Sequence, residues 1–252
     1  MLRYVCPLVT AFLMAAPLLA APAASAFADR ERLPCDIAPA IARPTRILLI
    51  GDSNFYGALG HRLVLGFRAR GYEVHMRARS ASGLARPEFF DWFAEARRLV
   101  EQVRPDAIVV MLGANDVQRI TWPHLDKRVF FKDVDGWRVA YEARVFAFMQ
   151  MLAEDGREVF YLSPTNRGWD LAVRAVDRVR DVQRRVAGAL PRVHYIDMFP
   201  FSSDARGAWL HFGKDELGKR VLYRHGDRIH LTKSGGDLVG QRLLRYFARL
   251  GV

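Results

Sequence analysis

Two uninterrupted apolar runs in the body of the chain are Ile47-Leu48-Leu49-Ile50 and Ala107-Ile108-Val109-Val110-Met111-Leu112. Runs without polar alternation predict strands buried on both faces, as in a parallel sheet. Strands are therefore expected at 46–50 and 107–112, with others at 73–77, 158–162 and 193–196. Between them, apolar residues recur at helical spacing. Leu59, Leu63 and Phe67 mark one helix, closed by Gly71. Phe89, Phe93, Ala96, Val100 and Val103 mark a second within 87–104, where the period predicts a buried stripe rather than a binding platform. Val139, Ala143, Phe146 and Met149 mark a third, and Leu171, Ala175, Val179, Val182 and Val186 a fourth. A last helix is expected near Ser234, where Ser234 and Asp237 have the S-x-x-D capping-box form and Leu238, Leu243, Leu244 and Phe247 supply the apolar side. Strands alternating with helices imply right-handed βαβ units and a mostly parallel sheet.

Three stretches break this rhythm. Ser80-Ala81-Ser82-Gly83 reads as a turn. Residues 117–137 mix Trp122, Phe130, Phe131 and Trp137 with Lys127, Arg128 and Lys132. They are long for a βα connection and are expected to form a lid or binding wall. Residues 199–229 are polar and glycine-bearing and read as loops.

The first 28 residues read as a secretory signal: one charge (Arg3) before Asp29, an apolar core from about Pro7 to Ala21, and small-x-small sites at Ala24-Ser25-Ala26 and Ala26-Phe27-Ala28. An uncleaved anchor is the alternative, but the run is short for about 30 Å of hydrocarbon and Pro17 interrupts it. Export followed by periplasmic or secreted residence is expected. Residues 29–44, with Pro34, Pro39 and Pro44, read as a linker or extended strap, and 45–252 as the domain proper. Once the signal is removed, Cys35 is the one cysteine left, so no intramolecular disulfide can form.

The chain has 252 residues, 51% hydrophobic and 26% charged, with a net charge of +11. That excess favours acidic partners, such as an anionic membrane or polysaccharide surface. The arginines, among them Arg174, Arg178, Arg180, Arg184 and Arg185, are spread along a predicted helix and read as a solvated face. No nucleic-acid module is recognisable, which disfavours nucleic acid as a partner. No metal-ligand cluster stands out, so neither metal nor cofactor is expected.

Candidate chemistry collects at the ends of the predicted strands, where open α/β sheets bind ligands. The first strand hands over to Gly51-Asp52-Ser53. A serine nucleophile needs a base and donors for the oxyanion. Asn115, just past the third strand, offers a side-chain amide, and Gly83 a backbone N–H with no side chain in the way. Of seven histidines, His230 has Asp227 three residues earlier, so a tight turn lets the carboxylate orient the imidazole; His225 is the runner-up. The G-x-S-x-G nucleophile elbow does not fit, since Gly51-Asp52-Ser53-Asn54-Phe55 lacks the second glycine.

Gly51-Asp52-Ser53, Gly83, Gly113-x-Asn115-Asp116 and Asp227-x-x-His230 together resemble the four blocks of the SGNH (GDSL-like) hydrolase superfamily, in order, over about 46–250. The strings from Ser82 to Trp92 and from Val110 to Asp116 resemble the exported bacterial DUF459 branch. The resemblance implies a flavodoxin-like three-layer α/β/α fold with a five-stranded parallel sheet. It implies Ser53 as nucleophile, with His230 and Asp227 completing a triad. The oxyanion hole would be the Ser53 and Gly83 N–H groups with the Asn115 side chain. Asn54 stands where the name motif has leucine. The function expected is an exported serine esterase acting on an O-acyl ester, an acetyl group on an envelope glycan being the leading substrate. The alternatives are an acyltransferase using the same residues and a non-catalytic envelope binding or assembly protein on this scaffold.

Overall fold

The computed structural model describes residues 45–252 apart from 169 and 205. The expected signal, linker and Cys35 lie outside the described residues. In chain order the elements are β1 (Arg46–Gly51), α1 (Ser53–Tyr56), α2 (Ala58–Arg68), β2 (Glu73–Ala78), α3 (Trp92–Val103), β3 (Ala107–Met111), β4 (Ile120–Trp122), β5 (Lys127–Val129), α4 (Val134–Ala153), β6 (Glu158–Leu162), α5 (Asp170–Gly188), β7 (Val193–Ile196), α6 (Phe199–Ser202), β8 (Phe212–Lys214), β9 (Arg220–Leu222) and α7 (Lys233–Arg249).

Five strands form one sheet in the order β2-β1-β3-β6-β7, every pair parallel. The period of two along β1 divides its side chains between two cores. Ile47 and Leu49 pack with Leu59, Leu63 and Phe67 of α2 and Val239, Leu243 and Phe247 of α7. Leu48 and Ile50 pack on the other face with Trp92 of α3, Tyr141, Val145 and Phe148 of α4, and Val179 and Val182 of α5. The result is the expected α/β/α sandwich with a five-stranded parallel sheet. The strand order reverses direction between β1 and β3, the topological switch point at which such sheets open a crevice.

Several local expectations are corrected. Helix α3 starts at Trp92, because the Asp91 side chain accepts from the N–H groups of Phe93 and Ala94 and caps it there. Phe89 therefore precedes the helix and is 43% exposed. The buried stripe of α4 is Trp137, Tyr141, Val145, Phe148 and Met149, whereas Val139 and Phe146 are exposed. The last helix is capped by Thr232, whose hydroxyl accepts from Gly235 N–H at 3.1 Å; Ser234 lies inside the first turn, and Asp237 faces Arg62 at 3.8 Å. Residues 199–229 hold a short helix and the antiparallel β8–β9 hairpin. Residues 120–129 form a second hairpin, β4–β5, fastened rather than lid-like. Thr121 N–H donates to the Ala85 carbonyl at 3.0 Å, and Arg144 donates to the Thr121 carbonyl at 2.8 Å with its guanidinium over Trp122. Two arginines of the supposed solvated face turn inward. Arg180 binds both oxygens of Asp197 at 2.7 Å, and Arg178 lies over Phe131 while donating to its carbonyl.

Among the described residues no helix is long and apolar enough to cross a membrane, and no group of histidine, cysteine and acidic side chains has the arrangement to hold a metal.

Candidate active site

Ser53 sits two residues beyond β1, and the chain there is pinned by its neighbour strand, since Asp52 N–H donates to the Met111 carbonyl at 3.1 Å. The Asp52 carboxyl turns the chain into α1 by accepting from Asn54 N–H at 2.9 Å. Ser53 thus opens the helix with its side chain at the carboxyl edge of the sheet.

His230 Nε2 lies 2.8 Å from Ser53 Oγ, and its Nδ1 lies 2.7 Å from Asp227 Oδ2. The other Asp227 oxygen accepts from the N–H groups of Ile229 and His230 at 2.9 and 3.0 Å. The turn that makes this possible has Arg228 in the left-handed region, φ 58°. Burial works against the Asp227 charge, but the His230 and backbone hydrogen bonds outweigh it and lower its pKa to about 2. Arg224 braces the turn from beneath. It is fully buried and donates to the Ile229 carbonyl and to Thr165 Oγ1, while its Nε and Nη2 find no partner among the described residues. Burial lowers its pKa to about 10. Gly168 N–H also donates to the Arg228 carbonyl at 3.1 Å, tying the turn to the loop after β6. His225 is exposed within this turn; His230 is the histidine that meets Ser53.

Opposite the serine stand Gly83 and Asn115. The Asn115 amide donates to the Ser82 carbonyl at 2.9 Å; an amide nitrogen carries a second N–H, which remains for a ligand. The loop bearing Gly83 is held by the wholly buried Asp116. Its Oδ1 accepts from Ala85 N–H at 2.7 Å and its Oδ2 from Tyr141 Oη at 2.8 Å. Burial raises the Asp116 pKa, with the bonds from Ala85 and Tyr141 opposing. Gln183 extends this network by donating to Tyr141 Oη at 3.1 Å and to the Leu112 carbonyl at 2.9 Å. Glycine is required at 83 because a Cβ would run into the Asp116 carboxylate. It is required at 113 because φ is 126° and a Cβ would enter the Gln183 side chain.

Ser53, Gly83, Asn115 and His230 line one cavity of about 670 Å³, together with Asn54, Arg86, Phe89, Gln118 and Arg167. Val117 and Gln118 are the part of the 117–137 segment that forms its wall. Asp227 stands behind His230, so all five residues singled out in the sequence come together. Asp52, wholly buried beneath the serine, has its pKa pushed up to about 7, chiefly by burial, with Asp116 adding to it. Reasoning from sequence missed Arg167, Arg224, Phe89 and the Asp116–Tyr141–Gln183 network. Phe89 was detectable from the Asp91 cap that excludes it from the helix. Arg167 is brought in by strand order, whereas Arg224 belongs to the Asp227–His230 turn and Asp116 directly follows Asn115.

Two solved structures that resemble this one are distant in sequence. LAE5, an alpha/beta hydrolase enzyme from the metagenome of Lake Arreo, is 17% identical with a TM-score of 0.58, over 82% of this chain and 96% of that one. Axe2, an acetylxylan esterase from Geobacillus stearothermophilus, is 18% identical with a TM-score of 0.52, over 82% and 94%. These likenesses establish the shared fold. No curated protein matches the sequence. The family model described as "Protein of unknown function (DUF459)" matches residues 46–246, and the chain belongs to that family.

Proposed function

We infer that this protein is an exported serine esterase that removes an O-acyl group, acetyl in the leading case, from an envelope glycan. The observation that carries the reading is the unbroken hydrogen-bonded line from Ser53 Oγ through His230 to Asp227, at 2.8 and 2.7 Å, opening into a cavity. In this reading Ser53 Oγ attacks the ester carbonyl while His230 Nε2 takes its proton. The oxyanion is held by the Ser53 and Gly83 N–H groups and the Asn115 amide. As the carbonyl re-forms, His230 passes the proton to the departing alcohol, leaving an acyl group on Ser53. Water, deprotonated by His230, then attacks the acyl-enzyme, and release of the acid returns the proton to the serine. Asp227 holds the imidazole in the tautomer with Nδ1–H and favours its charged form between these steps.

Acetyl as the acyl group and a glycan as its carrier draw support from the fold shared with Axe2, described as an acetylxylan esterase. Export draws support from the pattern of the first 28 residues, and an anionic surface as partner from the +11 charge. The test is acetate release from purified envelope glycans by the mature protein beside Ser53→Ala. Release by wild type alone is expected; cleavage confined to long-chain esters would overturn the glycan assignment.

A further inference from the structure

Among the described residues, Arg167 is a cation of the cavity wall with no carboxylate paired to it. Arg86 is matched by Glu88, with Nε 3.0 Å from Oε1. Arg167, half-buried on the loop after β6, has no carboxylate within ion-pair distance among the described residues. Its backbone N–H is taken by Asn166 Oδ1 at 2.8 Å. Among the described residues its head makes one hydrogen bond, from Nη2 to the carbonyl of Ala114, the residue before Asn115. That bond fixes the guanidinium beside the oxyanion donors and leaves most of its five N–H groups for a ligand. Burial lowers the pKa of Arg167, and the acid that opposes this is Asp52. Asp52 carries only part of a charge near neutral pH, since its own pKa is about 7. A desolvated guanidinium without an anion is costly, and its planar fork matches a carboxylate in two parallel hydrogen bonds.

We propose that Arg167 binds an anionic group of the substrate, and that the cavity takes an ester bearing a carboxylate close to the scissile carbonyl. The inference rests on the esterase reading of Ser53. Two sources fit the chemistry: a carboxylate on the alcohol, as in an O-acetylated uronic acid, and one on the acyl group, as in a dicarboxylic half-ester. Neighbouring Phe89 and the Asn115 amide supply the apolar and polar walls against which the rest of such a molecule lies.

The test compares kcat/KM within two matched pairs: O-acetyl methyl glucuronoside against O-acetyl methyl glucoside, and mono-4-nitrophenyl succinate against 4-nitrophenyl butyrate. Wild type should favour the carboxylate member of one pair by about tenfold or more, the worth of a charge-assisted hydrogen bond, and that pair identifies the source. Arg167→Gln should cut the ratio about tenfold, and Arg167→Lys should keep only part of it, since an ammonium supplies the charge without the fork. A wild-type ratio near one in both pairs, or a ratio that Arg167→Gln leaves unchanged, overturns the assignment while leaving the esterase reading intact. Turnover of no member of either pair by wild type overturns the esterase reading itself, and this inference with it.

Discussion

Gly83→Ala tests how the loop that faces Ser53 is held. A Cβ at residue 83 would lie 2.9 Å from Asp116 Cγ and closer still to Oδ1, where ordinary contact begins at 3.4 Å. The carboxylate cannot step back, because Ala85 N–H and Tyr141 Oη hold its two oxygens at 2.7 and 2.8 Å. The loop must move instead, by half an ångström or more at Cγ. Catalytic groups tolerate about 0.5 Å of displacement, and errors near 1 Å cost about 10²-fold. Loss of one oxyanion donor costs a similar factor, about 10²–10³. Gly83→Ala should therefore lower kcat on an activated acetyl ester about 10²-fold, with KM changed far less, since the donor acts on charge that develops in the transition state. Gly188→Ala is the control, because a Cβ there meets nothing within 4 Å. Wild-type turnover by folded Gly83→Ala would refute the placement of Gly83 in the oxyanion hole.

Three further outcomes are expected. Asp227→Asn keeps the size of the side chain but removes the charge opposite His230 Nδ1, and kcat should fall about 10³–10⁴-fold; a loss under tenfold, measured by steady-state kinetics, would remove Asp227 from the triad. Asp52, with a folded pKa of about 7 against about 3.9 unfolded, keeps a proton that the unfolded chain releases. That contribution is full below about pH 3.9 and is lost progressively as pH rises to about 7. Two pKa units at about 1.36 kcal/mol each give about 3 kcal/mol between pH 5 and 8. Asp52→Asn should remove this part of the pH dependence in urea melts, and parallel wild-type and variant profiles would contradict the assignment. Tyr141→Phe leaves Asp116 Oδ2 and the Gln183 amide short of a buried partner. It should cost about 1–3 kcal/mol in the same melts, and no loss would show that the network relaxes without it.

The central strands were legible because both their faces are buried, which leaves β1 and β3 without polar interruption. The site residues were legible for a related reason. Ser53 and Asn115 follow β1 and β3, whose carboxyl ends a parallel sheet gathers at one edge, and Asp227 and His230 stand three residues apart in the turn before α7. Helix α4 misled because apolar residues surround it; the buried stripe includes Tyr141, whose place is set by Asp116, 25 residues earlier in the chain. The hairpins 120–129 and 212–222 have three-residue strands with exposed Lys127, Arg128 and Arg220, so no period marks them. Thr232 caps α7 in place of Ser234 because the preceding residues pair back onto the chain, Leu231 with Arg224 and Thr232 N–H with the Tyr223 carbonyl. Arg167 meets Ala114, 53 residues away, because β6 lies beside β3, and nothing in its own neighbourhood foretells that.

The most direct test of the account is to treat the purified mature protein with a fluorophosphonate probe and locate the adduct by peptide mass mapping, beside Ser53→Ala and His230→Ala. The account predicts a single adduct on Ser53 in wild type, none in Ser53→Ala, and strongly slowed labelling in His230→Ala. An adduct on another serine, or equal labelling of wild type and Ser53→Ala, would contradict it.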